Sequence, residues 1–96
     1  MSITAFAIAS QSVGHVELTM LSDGHNAPAN LVVTNRVYDD NSQLVSEETK
    51  DVAWITGSDG FVGRVVFDGN SGMDCYAYVH KANTEKPLAT FSYTAP

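Results

Sequence analysis

The chain has a single cysteine, Cys75, so no disulfide can form within it and its stability has to come from packing. Basic residues are scarce. Arg36, Lys50, Arg64, Lys81 and Lys86 are scattered along 96 residues against eleven Asp and Glu, for a formal net charge of −6. That balance argues against nucleic acid and anionic lipid as ligands, since both are held by clustered Lys and Arg. No apolar run approaches the roughly 20 residues of a membrane span, so no membrane insertion is expected. The stretch from Met1 to Ser12 also lacks the basic start and apolar core of a signal peptide. Met1 is compatible with a natural start or with a domain cut from a longer protein, in which Tyr93-Thr94-Ala95-Pro96 would lead into a linker. Charged residues amount to 17%, below the roughly 25% of an ordinary soluble domain. A surface so poor in charge is built from Ser, Thr, Asn and small apolar groups, as on extracellular and virion-surface modules.

What the sequence does have is a rhythm. Short β-rich runs recur about every ten residues. They are broken by Ser22-Asp23-Gly24, Asp39-Asp40-Asn41, Gly57-Ser58-Asp59-Gly60, Asp68-Gly69-Asn70-Ser71-Gly72 and the segment 83–87. Gly, Asn and Asp tolerate the left-handed backbone of tight turns, while Val, Ile, Thr and aromatics suit pleated strands. Seven strands are expected, at 3–9, 13–21, 31–38, 44–56, 61–68, 73–82 and 88–94, the fourth long enough to bend or split near Glu47 to Asp51. In the second, Val16, Leu18 and Met20 alternate with His15, Glu17 and Thr19, giving one dry face and one wet. The segment 42–51 has a helix-like composition but no apolar residue at three-and-four spacing after Val45, and reads as a polar edge strand or loop. With 44% hydrophobic residues the chain can fill one core. The expectation is one domain over residues 1–96, an all-β, immunoglobulin-like antiparallel β-sandwich of about seven strands. Alternation then turns Leu31, Val33, Val37, Phe61, Val65, Phe67, Cys75, Ala77 and Val79 inward. Trp54 fills the core near one edge. Asn35 becomes a buried polar group in need of a hydrogen bond, most simply to backbone.

Three segments carry a family likeness: Val37-Tyr38-Asp39-Asp40-Asn41-Ser42-Gln43-Leu44-Val45, then Thr56-Gly57-Ser58-Asp59-Gly60-Phe61-Val62-Gly63, then Gly72-Met73-Asp74-Cys75-Tyr76-Ala77-Tyr78-Val79. Over roughly residues 13–82 the chain resembles bacterial and phage immunoglobulin-like domains, including the invasin and intimin type. The resemblance implies a rigid spacer, an adhesive module or a decoration on a cell or phage surface. Two features depart from the antibody-type pattern: Cys75 has no disulfide partner, and Trp54 lies outside the third strand.

Catalytic constellations are weak. Cys75 shares its strand parity with Ala77 and Val79 and reads as a small buried hydrophobe. His80, five positions on, projects from the opposite face, and His15 and His25 lie on other segments. The histidines also lack the short spacings of a metal site, and no enzyme activity or cofactor is expected. Asp39, Asp40, Asn41, Asp68, Asn70 and Asp74 fall at one end of the sandwich and offer the hard oxygen ligands calcium takes, although turns demand the same residues. The strongest candidate is an aromatic stripe. Tyr76, Tyr78 and His80 face outward on a central strand, with Arg36 and Tyr38 beside them on the third strand and Tyr93 expected to join from the last. On this reading Tyr78 is dispensable for folding. The turns at the opposite end, with the 22–30 loop shaped by Asn26-Ala27-Pro28-Ala29, form an alternative binding tip.

The function expected is that of a non-enzymatic interaction or structural module, such as a surface or virion-associated spacer, decoration or adhesion domain. Its partner would be another protein or a second copy of the chain, since sandwich edges can pair in trans, with Lys50 or the polar run before it guarding one of them. Two alternatives are a small acidic cytosolic inhibitor of a basic target, and a carbohydrate-binding module using Tyr38, Tyr76 and Tyr78. The compartment follows from the choice among these: cell surface or virion within a larger assembly, cytoplasm for an inhibitor.

Overall fold

A computed structural model describes residues 3–96; Met1, and its reading as a start, lies outside the described residues. The alternating runs form eight strands: β1 (Ile3–Ser12), β2 (His15–Ser22), β3 (Leu31–Tyr38), β4 (Leu44–Asp51), β5 (Ala53–Thr56), β6 (Phe61–Asp68), β7 (Asp74–Lys81) and β8 (Ala89–Thr94). They make two antiparallel sheets, ordered β1-β2-β6-β5 and β4-β3-β7-β8. No helix occurs among the described residues.

The dry residues of the central strands meet between the sheets. Val16, Leu18 and Met20 of β2 with Val65 and Phe67 of β6 pack against Leu31, Val33 and Val37 of β3 and Cys75, Ala77 and Val79 of β7. Burial of a side chain of this class contributes about 1.5–3 kcal/mol, so these central strands hold the fold together. Asn35 sits fully buried among them. Its partner is a side chain rather than the backbone, for the Tyr93 hydroxyl donates to Asn35 Oδ1 at 2.9 Å.

Two boundaries differ from expectation. The long fourth run is two strands, and the break falls at Val52, where the chain leaves one sheet for the other. Polar β4 has little to bury, whereas Val52 and Trp54 pack on the core over Gly63. A Cβ on Gly63 would stand 2.6 Å from Val52 Cγ1 and 2.8 Å from Trp54 Cζ3, so this glycine makes the room that Trp54 needs. Val13, expected to open the second strand, belongs instead to a two-residue turn with Gly14, whose φ of 70° is the left-handed position a side chain resists. β1 therefore runs on to Ser12, which pairs with His15.

At the end of the sandwich where this turn lies, a backbone hydrogen bond joins the sheets, Gly14 N donating to Pro96 O at 2.8 Å; Gly69 N donates to Gly14 O at 2.8 Å within one sheet, and Ala95 N donates to Met73 O at 3.0 Å within the other. On one open side Lys50 turns inward from β4, its Nζ donating to Val66 O at 2.7 Å and lying 5.4 Å from the Phe67 ring centroid. An inward charge on an edge strand blocks strand addition there.

Candidate functional site

Strand register assembles the outward face of the β4-β3-β7-β8 sheet. Tyr76 stands opposite Arg36, Tyr78 opposite Thr34, His80 opposite Val32 and Tyr38 opposite Asp74; from the other side Glu47 meets Arg36 and Thr49 meets Thr34. Arg36, Tyr38, Tyr76, Tyr78 and His80 thus share one face. The rings form a continuous column: His80 stacks on Tyr78 at 4.8 Å, and Tyr78 lies 5.8 Å from Tyr76. Arg36 lies over the Tyr78 ring at 5.1 Å and donates from Nη2 to its hydroxyl at 3.3 Å. Its Nε donates to Glu47 Oε2 at 2.9 Å, and this bond holds the guanidinium pKa above its ordinary value.

The upper half of the column is closed. The segment 82–88 folds back over it, fixed by Ala82 N donating to Asn30 O at 2.7 Å and Leu88 N donating to Val79 O at 2.8 Å. His80 Nδ1 meets the carbonyls of Lys81, at 2.8 Å, and of Thr84. Both are acceptors, so Nδ1 carries the proton and donates. His80 Nε2 lies 2.7 Å from Thr34 Oγ1, which is 2.8 Å from Thr49 Oγ1. Tyr78 is consequently 3% exposed and His80 5%. The expectation that both offer an open binding row, and that Tyr78 is dispensable for folding, is corrected. They face away from the central core but are buried beneath a second, polar layer.

The lower half is open. Tyr38 and Tyr76 are half-buried, while Leu44 is 53% and Val45 50% exposed. The β3–β4 register slips here, from Val37 opposite Ser46 to Tyr38 opposite Leu44, so Leu44 and Val45 together face the single Tyr38. A shallow depression on this face is lined by Tyr38, Asp74, Cys75, Tyr76, Ser92, Tyr93 and Thr94, with Thr94 Oγ1 donating to Asp74 Oδ1 at 3.1 Å. Leu44 and Val45 were not singled out from the sequence. Their signal was there, two adjacent apolar residues breaking alternation at the head of a polar strand.

Tyr93 does not join the stripe. It stands opposite Cys75, and so faces inward, stacked with Phe91 at 5.9 Å. Buried Asn35 needs the Tyr93 hydroxyl, and a place on the outward face would leave that amide without it. Burial is the main cause that raises the Tyr93 pKa well above that of an ordinary phenol, and burial likewise pushes the Cys75 thiol up.

The calcium candidates are dispersed in their bonding. Asp39 Oδ1 accepts from the amides of Asn41, at 2.9 Å, and Gln43, at 3.0 Å; Asp68 pairs with His15 Nδ1 at 2.7 Å, and Asp74 accepts from Thr94. These carboxylates hold their own turns and strand ends together. Asp40, Asn41 and Asn70 lie at the same end, and no three His, Cys, Asp or Glu gather into a metal site among the described residues. Cys75 faces the core, His80 the outward layer, His15 pairs across the other sheet and His25 lies exposed in the 23–30 loop, so no thiol and imidazole are brought together. No helix is long and apolar enough to cross a membrane among the described residues. No family model matches the chain, and neither does any curated protein or solved structure.

Proposed function

We propose that the chain is a non-enzymatic, immunoglobulin-like interaction module that binds a protein partner through the open half of the outward face. The topology supports the fold part of this reading: β1-β2-β6-β5 over β4-β3-β7-β8 is an order compatible with an immunoglobulin-type sandwich carrying an extra edge strand. The observation that carries the binding part is the gathering of Tyr38, Tyr76, Leu44 and Val45 at the β3–β4 register slip. Tyr presents a large contact area with only two side-chain rotations to freeze, and aromatic anchors dominate protein interfaces. Arg36, held by Glu47 and Tyr78, stands opposite Tyr76 on the same face.

A carbohydrate reading is favoured by one further observation. The depression sets the Tyr38 and Tyr76 side chains beside the Asp74 carboxylate and the Ser92 and Thr94 hydroxyls, a mix of stacking surface and polar groups suited to a sugar ring. One experiment separates the two readings. Immobilised wild type and a Tyr38→Ala/Tyr76→Ala double variant are compared for partner capture from the native source and for retention on a polysaccharide panel, with Arg64→Ala on the other sheet as control. Loss of protein capture in the double variant alone supports the first reading, loss of sugar retention alone supports the second, and unchanged behaviour in both overturns the site.

A further inference from the structure

Each sheet ends in two edge strands, β1 and β5 in one, β4 and β8 in the other. A free edge is a template for another strand unless shortness, charge, proline or a bulge blunts it. Three of the edges are blunted. β1 breaks register between Ile3 and Ala5 and again between Ile8 and Ser10. β5 is four residues long. β4 carries Glu47, Glu48, Lys50 and Asp51, begins at a register slip and turns Lys50 inward.

β8 has none of these four devices, although β1 of the other sheet packs against it, with the Phe6 ring 6.1 Å from that of Phe91. Its six residues, Ala89-Thr90-Phe91-Ser92-Tyr93-Thr94, include no charge and no proline, and they pair with β7 without interruption from Val79↔Ala89 to Asp74↔Thr94. The bond from Ala95 N to Met73 O sets the phase of the ladder. Alternation then turns the amide and carbonyl groups of Ala89, Phe91 and Tyr93 toward β7, and those of Thr90, Ser92 and Thr94 toward the open side. The side chains of Thr90, Ser92 and Thr94 are exposed.

We propose that β8 pairs with β8 of a second copy of this chain, antiparallel about a two-fold axis at Ser92, joining two four-stranded sheets into one of eight strands. Ser92 then faces its own counterpart and Thr90 faces Thr94 of the second copy, in cross-strand hydroxyl pairs that a sheet accepts well. A second copy is the favoured occupant on charge. The chain carries −6 overall, yet β8 is uncharged, so self-pairing brings no like charges together along the seam. The antiparallel direction also sets the end bearing Lys81 and Lys86 of one copy beside the end bearing Asp74, Asp39 and Asp40 of the other. A contact of this kind is isologous and closes at two subunits. It does not rest on the protein-binding reading, whose Tyr38, Tyr76, Leu44 and Val45 lie on β3, β7 and β4, although Ser92 and Thr94 also line the depression beside Tyr38 and Tyr76.

Sedimentation of the full 96-residue chain over about 10 μM to about 1 mM, a span that brackets affinities of ordinary strand-edge contacts, tests the proposal. Three variants accompany it: Ser92→Lys, Ser92→Glu and Ser92→Pro. Proline is tolerated where an edge amide faces solvent, and an exposed Ser92 accepts either charge, so thermal unfolding is expected to stay near wild type. The expected result is a wild-type dimer, at least tenfold weaker association in each variant alone, and recovery of a heterodimer when the Lys and Glu variants are mixed. A wild type that remains monomeric throughout overturns the proposal, as does a dimer that the Lys and Glu variants leave intact. If the proline variant alone unfolds, the Lys and Glu pair decides.

Discussion

The outward face of the β4-β3-β7-β8 sheet holds two regions of similar composition and opposite exposure. Around Tyr78 and His80, two Thr hydroxyls and the returning 82–88 segment form a network that leaves the two rings almost no exposure to solvent. Around Tyr38 and Tyr76, comparable rings lie beside exposed Leu44 and Val45 with no segment drawn across them. Residue type does not separate the two regions. What separates them is the length of the connection at each end. The β7–β8 segment is long enough to fold back and supplies carbonyls for His80, whereas the β3–β4 turn is consumed by the Asp39 carboxylate holding the amides of Asn41 and Gln43. An aromatic stripe is therefore a scaffold under one loop and an available surface under another.

The comparison breaks most visibly at Tyr78. Tyr78→Ala is expected to destabilise the fold by about 3–5 kcal/mol, the range for deleting a buried aromatic, measured by urea unfolding; a loss below about 1 kcal/mol, the range of an exposed pair, would show that the covered half is no more structural than the open one. His80→Ala comes next. It removes the donor that pins Thr84 and Lys81, with an expected cost of about 1–3 kcal/mol and faster amide exchange confined to 82–88; uniform exchange would mean that the segment is held by other contacts.

The inward counterpart of the stripe gives a pH signature. Burial keeps the Tyr93 phenol protonated in the folded state at a pH where the unfolded chain has already released that proton. The resulting stability is fully present below the unfolded tyrosine value of roughly 10 and is lost as pH rises toward the folded value, by at most about 1.4 kcal/mol per pH unit. Tyr93→Phe should cost about 1–3 kcal/mol at neutral pH, by orphaning Asn35, and should flatten the alkaline slope to that left by Cys75. An unchanged slope would assign the alkaline loss to another group. The smallest effect is expected at Tyr76, where Tyr76→Ala should cost less than about 1 kcal/mol and leave the 82–88 segment undisturbed, which is what a binding residue on a free surface requires.

Much of the fold was legible because alternation is a direct readout of which face is dry. Val16, Leu18 and Met20, or Cys75, Ala77 and Val79, can be assigned inward with no knowledge of partners. The change of sheet at Val52 was less legible, since what pulls Trp54 across is the missing side chain of Gly63, more than eight positions along the chain. The site was half legible. Parity placed Arg36, Tyr38, Tyr76, Tyr78 and His80 on one face, but parity carries no information about a loop that returns to cover it. Tyr93 was misplaced for a related reason: the need of Asn35 for a donor arises from β3 and is met from β8, two strands away.

The hydrogen bonds that join Gly14, Pro96 and Gly69 sit at the opposite end of the sandwich from Ile3, which pairs with Ser22. A load applied between Ile3 and Pro96 therefore runs along the strands rather than across them. It would strain the β1–β2 and β7–β8 ladders in shear, with many bonds resisting at once, instead of peeling them open one pair at a time. Pulled across its strands instead, the same sandwich is expected to open pair by pair, so resistance to load depends on direction.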